Sequence, residues 1–387
     1  MADGSEVLFQ VTRDQLNTGL RGVPVGTCRT SHVDPVLGVS YGGYPVGDLA
    51  HLDPEVVVHL LLERRLPSEG ERASFDADLR ARRGLDPRVI AALRALPPEG
   101  HPMAWLEVGL AVTGMLHGTG DPAEDARTAI ALAPELVAAV FRLRSGWGEP
   151  RPSRRDLGMI EDFVQLLDVP HADPRALERV LRVFYVLHAD HGGGNLSTFV
   201  GKAVASGRAE LFGSLTASMA ALSGPLHGGA NQESLELVRR VGSADPDVVE
   251  AFVRGELAAG RAIAGFGHSV LRAEDARATL EYALGEALCP DDPLFAVARA
   301  LRRVVPLVLG ELPKVRNPYP NVDAVSGVLL HAVGFTEPEY YTVLFGFARI
   351  SGISSQVVDE RARFRGGRGV PLYRPEYLAE DQPTRRL

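Results

Sequence analysis

The chain has 387 residues, 45% of them hydrophobic, with a formal net charge of -8. That length can bury a large core in one domain or two, and the acidic balance argues against a general nucleic-acid-binding role. Cys28 and Cys289 are the only cysteines, too few to staple a protein of this size and without a zinc-ligand spacing. All of the 41 basic residues except Lys202 and Lys314 are arginines. A GC-rich genome would produce the same bias, but any anion site here must be built mostly from guanidinium forks, which suit carboxylates and phosphates. No basic region followed by an apolar core opens the chain, and no apolar run reaches the length of a membrane span. These features lead us to expect a reducing, cytoplasmic location.

In chain order, residues 21 to 46 combine Gly, Val, Thr and Tyr with turn signals at Asp34-Pro35 and Gly42-Gly43, and read as short strands or a hairpin. Nearly everything after them reads as helix. Pro54 opens a helix that should run to Leu66, before Pro67. Helices are expected over 87 to 96 and 102 to 117, separated by the breaker Pro97-Pro98-Glu-Gly-His-Pro102. Asp121-Pro122 starts another, ending near Leu143, and 145 to 155 reads as a loop. Over 174 to 188, Leu177, Val180, Leu181, Phe184 and Leu187 fall on one face of an amphipathic helix. Further helices are expected over 208 to 222, 246 to 258, 275 to 288, 293 to 310 and 336 to 358. The fold class is mostly α, with a small β element near the start.

Four segments place His, Asp or Arg among Gly and Pro, where the backbone can approach a ligand closely. In Leu187-His-Ala-Asp-His-Gly-Gly-Gly-Asn-Leu-Ser-Thr-Phe199, His188 and His191 sit at a helix C-terminus, where the dipole favours a cationic imidazole. Solvated histidines at a helix cap would look the same, and no third ligand follows at a metal-binding spacing. In Leu222-Ser-Gly-Pro-Leu-His-Gly-Gly-Ala-Asn-Gln-Glu233, His227 precedes a helix start near Ala230. A helix N-terminus disfavours the imidazolium, and a neutral imidazole can donate to a developing enolate oxygen; a plain turn is the alternative. In Ala264-Gly-Phe-Gly-His-Ser-Val-Leu-Arg-Ala-Glu-Asp-Ala-Arg277, Gly265 and Gly267 would let backbone groups meet an adenine or phosphate, with His268, Arg272 and Arg277 following. The dinucleotide fingerprint is not there, and a loop leading into a helix with exposed arginines reads equally well. In Asn317-Pro-Tyr-Pro-Asn-Val-Asp-Ala-Val-Ser-Gly327, Asp323 lies just inside a helix start, where an acid also simply complements the dipole.

Taken together, Gly-Pro-Leu-His-Gly-Gly-Ala-Asn (224 to 231), Gly-Phe-Gly-His (265 to 268) and Pro-Asn-Val-Asp-Ala-Val-Ser-Gly (320 to 327) resemble the three catalytic motifs of citrate synthases, in the family's order and at similar spacing. The resemblance covers nearly the whole chain. Leu20-Arg-Gly22 and Gly43-Tyr44 look like the family's opening strands, and Tyr340 to Arg349 with Tyr373-Arg-Pro375 look like its last helix and C-terminal arm. It is greatest over 317 to 346 to the dimeric branch that includes the mitochondrial enzymes.

That resemblance implies a large helical domain (1 to 228 and 334 to 387) and a smaller one (229 to 333), with the active site in the cleft between them. It implies that Asp323 is the base for the α-carbon of an acyl-CoA thioester, His227 the donor to the resulting enol or enolate, and His268 the group that polarises and protonates the ketone of oxaloacetate. His191, Arg277 and Arg349 match the oxaloacetate contacts, joined by Arg374 from the partner subunit of a homodimer. Arg272 resembles a CoA phosphate contact, and Lys314 and Arg316 are further ones, beside Gly265 and Gly267. No metal or bound cofactor is implied, since the CoA thioester is itself a substrate. The expected product is citrate from acetyl-CoA. The alternatives are 2-methylcitrate or a longer alkylcitrate, and, remotely, a relative that binds acyl-CoA without turnover. Two departures stand out. Gly192 occupies a position where that branch often has Glu, and the basic segment 359 to 370 is longer than the pattern.

Overall fold

The computed structural model describes residues 7–192 and 194–378. Three short antiparallel strands, β1 (Ser31–Asp34), β2 (Gly38–Tyr41) and β3 (Tyr44–Pro45), form one meander. Residues 21 to 30, read as part of this sheet from their composition, lie outside any strand. The rest of the regular structure is helical: α1 (Val46–Leu49), α2 (Pro54–Glu63), α3 (Glu69–Ala81), α4 (Pro87–Arg94), α5 (Pro102–His117), α6 (Pro122–Arg144), α7 (Met159–Leu167) and α8 (Pro174–His188). After the glycine run come α9 (Leu196–Ser206), α10 (Leu211–Leu222), α11 (Ala230–Val241), α12 (Pro246–Ala258), α13 (Ala276–Leu288), α14 (Pro293–Gly310), α15 (Asp323–Ala332) and α16 (Tyr341–Val358).

Local chemistry explains most of the starts. Helices α2, α4, α6, α8, α12 and α14 each begin with Pro after an Asp. Proline's fixed φ suits the first helical position, and at every one of these starts but that of α2 the preceding carboxylate accepts an otherwise unpaired backbone N–H. Asp121, for example, takes the N–H groups of Ala123 and Glu124. Helix α3, absent from the expectation, opens on a reciprocal cap between Ser68 and Glu71. Two ends moved for backbone reasons. Helix α2 stops at Glu63 because Arg64 turns left-handed (φ 62°), and α10 starts at Leu211 because Arg208 does the same (φ 64°).

The main apolar core runs through α5, α6, α7, α10 and α16, and continues through α11, α13, α14 and α15. A second cluster matters more for the site. Val33, Tyr41, Leu49, Leu60 and Leu187 pack there with Leu271 and Val322. It joins the sheet and the end of α8 to the two loops that precede α13 and α15. The hydroxyl of Tyr41 is buried among the carbonyls of Val186 (3.0 Å) and Asp190 (3.1 Å), and accepts the N–H of Asp190 at 3.2 Å.

The basic segment after α16 is tied down locally. Arg361 donates to the carbonyl of Ala209 and Arg363 to that of Leu62, while Glu360 pairs with Lys202 at 2.9 Å. At Gly352 of α16, a Cβ would lie 2.2 Å from the carbonyl oxygen of Ala189, and the glycine N–H donates to that oxygen at 3.0 Å. Gly352→Ala must therefore push α16 away from the end of α8. Overpacking of this kind costs about 1–3 kcal/mol, and urea unfolding of the variant should show a lower midpoint at unchanged m-value.

Candidate active site

The end of α8, the middle of α16 and the starts of α9, α13 and α15 bring the singled-out residues to one place. Asp190 organises it. Its buried carboxylate accepts from Thr30 Oγ1 and Ser31 Oγ (both 2.7 Å), from the N–H of His191 (2.8 Å) and from Gln356 Nε2 (2.8 Å). This fixes the turn that carries His191, whose ring lies 5.9 Å from that of His268, centroid to centroid. Asn195 caps α9 through Thr198 and donates to the carbonyl of His191 at 2.9 Å.

The cationic histidines expected at the end of α8 are not what the structure supports. His188 is fully buried, stacked on Phe184, with Nδ1 donating to the Phe184 carbonyl at 2.9 Å. Burial, reinforced by Arg277, pushes it down to about 3. His191 is held well below the usual imidazole range by burial, then by Arg277 and Arg349. Desolvation and two buried guanidiniums outweigh the helix dipole.

His227 and His268 each have a defined tautomer. The backbone N–H of Ser197, in the unpaired first turn of α9, donates to Nε2 of His227 at 3.1 Å. Nε2 is thus the acceptor, and the ring hydrogen sits on Nδ1. Burial, followed by Arg349, lowers His227 to about 4. The neutrality expected from a helix start is there, but burial is its main cause. For His268, the N–H groups of Val270 (3.0 Å) and Leu271 (2.9 Å) donate to Nδ1, leaving the hydrogen on Nε2. Burial and Arg277 hold it below its ordinary value. Both histidines are neutral single-hydrogen donors.

Asp323 is the first residue of α15, with its N–H bonded to Asn321 Oδ1. Burial pushes its carboxyl up to about 6, against the opposing pull of Arg277. Arg277 is buried and forked onto Asp275, with Nη2 2.7 Å from Oδ2; burial opposes its charge, but Asp275 more than restores it. Arg349 is buried over the Phe345 ring and donates from Nε to the His188 carbonyl at 2.9 Å. Two guanidiniums held in a buried setting are suited to a dianionic ligand.

A cleft of about 1280 Å³ opens from here, lined by His191, His268, Arg272, Lys314 and Arg316. Arg272 is anchored by its N–H to the Pro35 carbonyl and by Nη1 to the Leu271 carbonyl, both at 2.7 Å. Gly265 and Gly267 do not line this cleft. Both have positive φ (80° and 88°), and a Cβ on Gly265 would lie 2.6 Å from Ala324 Cα. The pair lets the 265–268 backbone bond to Tyr319 and Asn321, locking His268 and Asp323 together. Arg374 is exposed on the C-terminal arm and is not among the residues gathered in this chain, although its neighbour Tyr373 lines the cleft.

Gly192 has a steric explanation. A Cβ there would meet the Ser31 carbonyl oxygen at 2.3 Å and Cys28 Sγ at 2.9 Å, so β1 and its lead-in fill the space a longer side chain would need. Reading the sequence missed Asp190 and Ser197. Asp190 lay in plain view between the two histidines. Ser197 acts through its backbone, and only the Asn195 cap signal pointed to the helix start that supplies it. Among the described residues, no group of three or more His, Cys, Asp or Glu side chains is placed to hold a metal ion.

A base must be ionised to act, so kcat/KM for a reaction that uses Asp323 should fall as pH drops through about 6. A pH profile of kcat/KM checks this; an acid limb in the ordinary Asp range near 4 would contradict it.

Residues 19–376 match the family model "Citrate synthase, C-terminal domain". The chain is 34% identical over 402 residues to a mitochondrial citrate synthase of Daucus carota, covering 96% of this chain and 84% of that protein. It is 33% identical to a mitochondrial 2-methylcitrate synthase of Yarrowia lipolytica, covering 98% and 86%. The crystal structure of citrate synthase from Pyrobaculum aerophilum superposes with a TM-score of 0.82 at 29% identity, covering 95% of this chain and 94% of that one. With its helical architecture, its ordered motifs and these likenesses agreeing, the chain belongs to the citrate synthase family.

Proposed function

We propose that this enzyme condenses acetyl-CoA with oxaloacetate and hydrolyses the product to citrate and CoA. The observation that carries the reading is the set of protonation states. One half-buried carboxyl is raised to about 6, and two neutral imidazoles each have their single hydrogen fixed by backbone N–H groups on the other nitrogen.

In this reading, oxaloacetate binds first, its carboxylates held by Arg277 and Arg349 beside His191. Asp323 removes a proton from the methyl carbon of the thioester. Nδ1–H of His227 donates to the thioester oxygen, stabilising the enol or enolate; preorganised donors of this kind are worth several kcal/mol. The carbon attacks the ketone, and Nε2–H of His268 protonates the new alkoxide. Water then displaces CoA thiol from the thioester. Such a carbon acid resists deprotonation in water, so base, donor and closed cleft must act together. The CoA phosphates would meet Arg272, Lys314 and Arg316.

We further propose that residues 229–333 form the smaller, closing domain and that the chain works as a homodimer, with Arg374 completing the partner's site. Both cysteines are free thiols, which fits a reducing compartment such as the cytoplasm. The 2-methylcitrate reading stays open, because the Yarrowia lipolytica relative matches about as closely as the citrate synthases do. The two reactions differ by one methylene, which a pocket discriminates by only about 1–3 kcal/mol.

Oxaloacetate-dependent CoA release, compared for acetyl-, propionyl- and butyryl-CoA by kcat/KM, decides between them. We expect acetyl-CoA to be preferred. A preference for propionyl-CoA moves the protein to the alkylcitrate reading, and no release with any donor overturns both. Asp323→Ala should abolish turnover while leaving oxaloacetate binding, measured by calorimetry, nearly intact. Arg374→Ala dimers mixed with Asp323→Ala dimers under conditions of proven subunit exchange should regain activity; no recovery argues against a shared site.

A further inference from the structure

Glu281 is an acid for which the mechanism above has no use. It lies on α13 one turn after Arg277, so the two share a face, and α13 packs against α15, which begins with Asp323. Its side chain is 2% exposed, and its Oε2 is buried without a hydrogen-bond partner. Arg277 is committed to Asp275 through both Nε and Nη2, and among the described residues no ion pair reaches Glu281 or Asp323.

The other charged groups nearby are also accounted for. Asp323 comes from α15, Asp275 from the loop before α13, and Arg277 from α13 itself. On α14, Arg299 is paired with Glu286 and Arg302 with Glu274. His188 at the end of α8 is neutral, and Asp48 on α1 is exposed. The titratable groups that act on Glu281 are therefore Asp323, Arg277 and Asp275, and the one cation among them is already committed to Asp275. An unpaired buried carboxylate costs far more than a neutral carboxyl, and two carboxylates cannot both ionise in one dry site.

We propose that Glu281 is a positioning residue for the base: it stands as a neutral carboxylic acid beside Asp323, and Asp323 works as a carboxylate only while Glu281 keeps its proton. Burial first, and then the Asp323 charge, hold that proton well above the usual range for Glu. When it is lost at high pH, a second buried anion faces the base, the enolate and the carboxylates of oxaloacetate. Proton abstraction should then fail on the alkaline side. This inference rests on the reading of Asp323 as the base.

Glu281→Gln keeps the shape and fixes the neutral state. The pH profile of kcat/KM for CoA release, with each enzyme normalised to its own maximum, should show an alkaline fall in the wild type that moves up by at least one pH unit in the variant. An unchanged midpoint, or a wild type with no alkaline fall, overturns the proposal. A second readout needs no turnover. Below the free Glu value of 4.5, folded and unfolded chains are both protonated. Above it, only the unfolded chain releases the proton, so the wild type loses stability as pH rises and the variant does not. The excess Tm of Glu281→Gln over wild type should widen from pH 5 to pH 9, and a constant difference overturns the assignment. Infrared spectra at neutral pH should also show a protonated-carboxyl band that disappears in the variant. If no donor releases CoA, the condensation reading fails, while the stability and infrared measurements still report on the Glu281 proton.

Discussion

The carboxylate of Asp190 has no access to water, and the site takes its shape from how that charge is satisfied. A buried carboxylate without donors would cost several kcal/mol. Here four donors converge on it, from the lead-in to β1, from β1 itself, from the next residue and from α16. Each donor belongs to an element that holds part of the site. The N–H of His191 sets the ring that faces His268. Gln356 ties down the helix that carries Arg349. Thr30 and Ser31 bring the strand edge so close that only glycine fits at 192.

Around this hub the site is an exercise in desolvation. Asp275, Arg277, Arg349 and Asp190 are all buried, and they are arranged so that each acid has donors and each guanidinium an acceptor. Among the described residues Asp190 is satisfied by neutral donors, whereas the side chains of Asp323 and Glu281 have no ion pair. Burial raises both, and the histidines are lowered by the same burial and by the arginines. The outcome is a pair of neutral imidazoles beside a carboxyl raised to about 6, in a pocket that holds two buried guanidiniums suited to a dianion.

The two glycines before His268 show how backbone conformation shapes the site. Their left-handed geometry lets the 265–268 segment bond to the 317–321 loop. The loops that present His268 and Asp323 are therefore tied to each other. Ser197 works in a similar way: a helix start donates one of its unpaired N–H groups to His227 and so decides which nitrogen keeps the hydrogen.

By itself, the sequence determined the helical class, because Asp-Pro starts and apolar faces at helical spacing are local signals that tertiary contacts seldom override. It also determined the motif residues His227, His268 and Asp323, whose Gly and Pro neighbours are legible in the chain. What it could not decide depends on distance in space. The lead-in to β1 was read as strand because its composition is strand-like, yet residues 21–28 lie outside the sheet and line the cleft. The histidines at the end of α8 were read as cationic because a dipole is local, whereas the burial that reverses that preference, and the guanidiniums that add to it from α13 and α16, come from the packing of distant segments. The partners of the Gly265 and Gly267 backbone, Tyr319 and Asn321, are invisible in one dimension. Protonation states, tautomers and the orphaned carboxyl of Glu281 belong to the tertiary structure alone, since each is set by burial and by charges brought together from far along the chain.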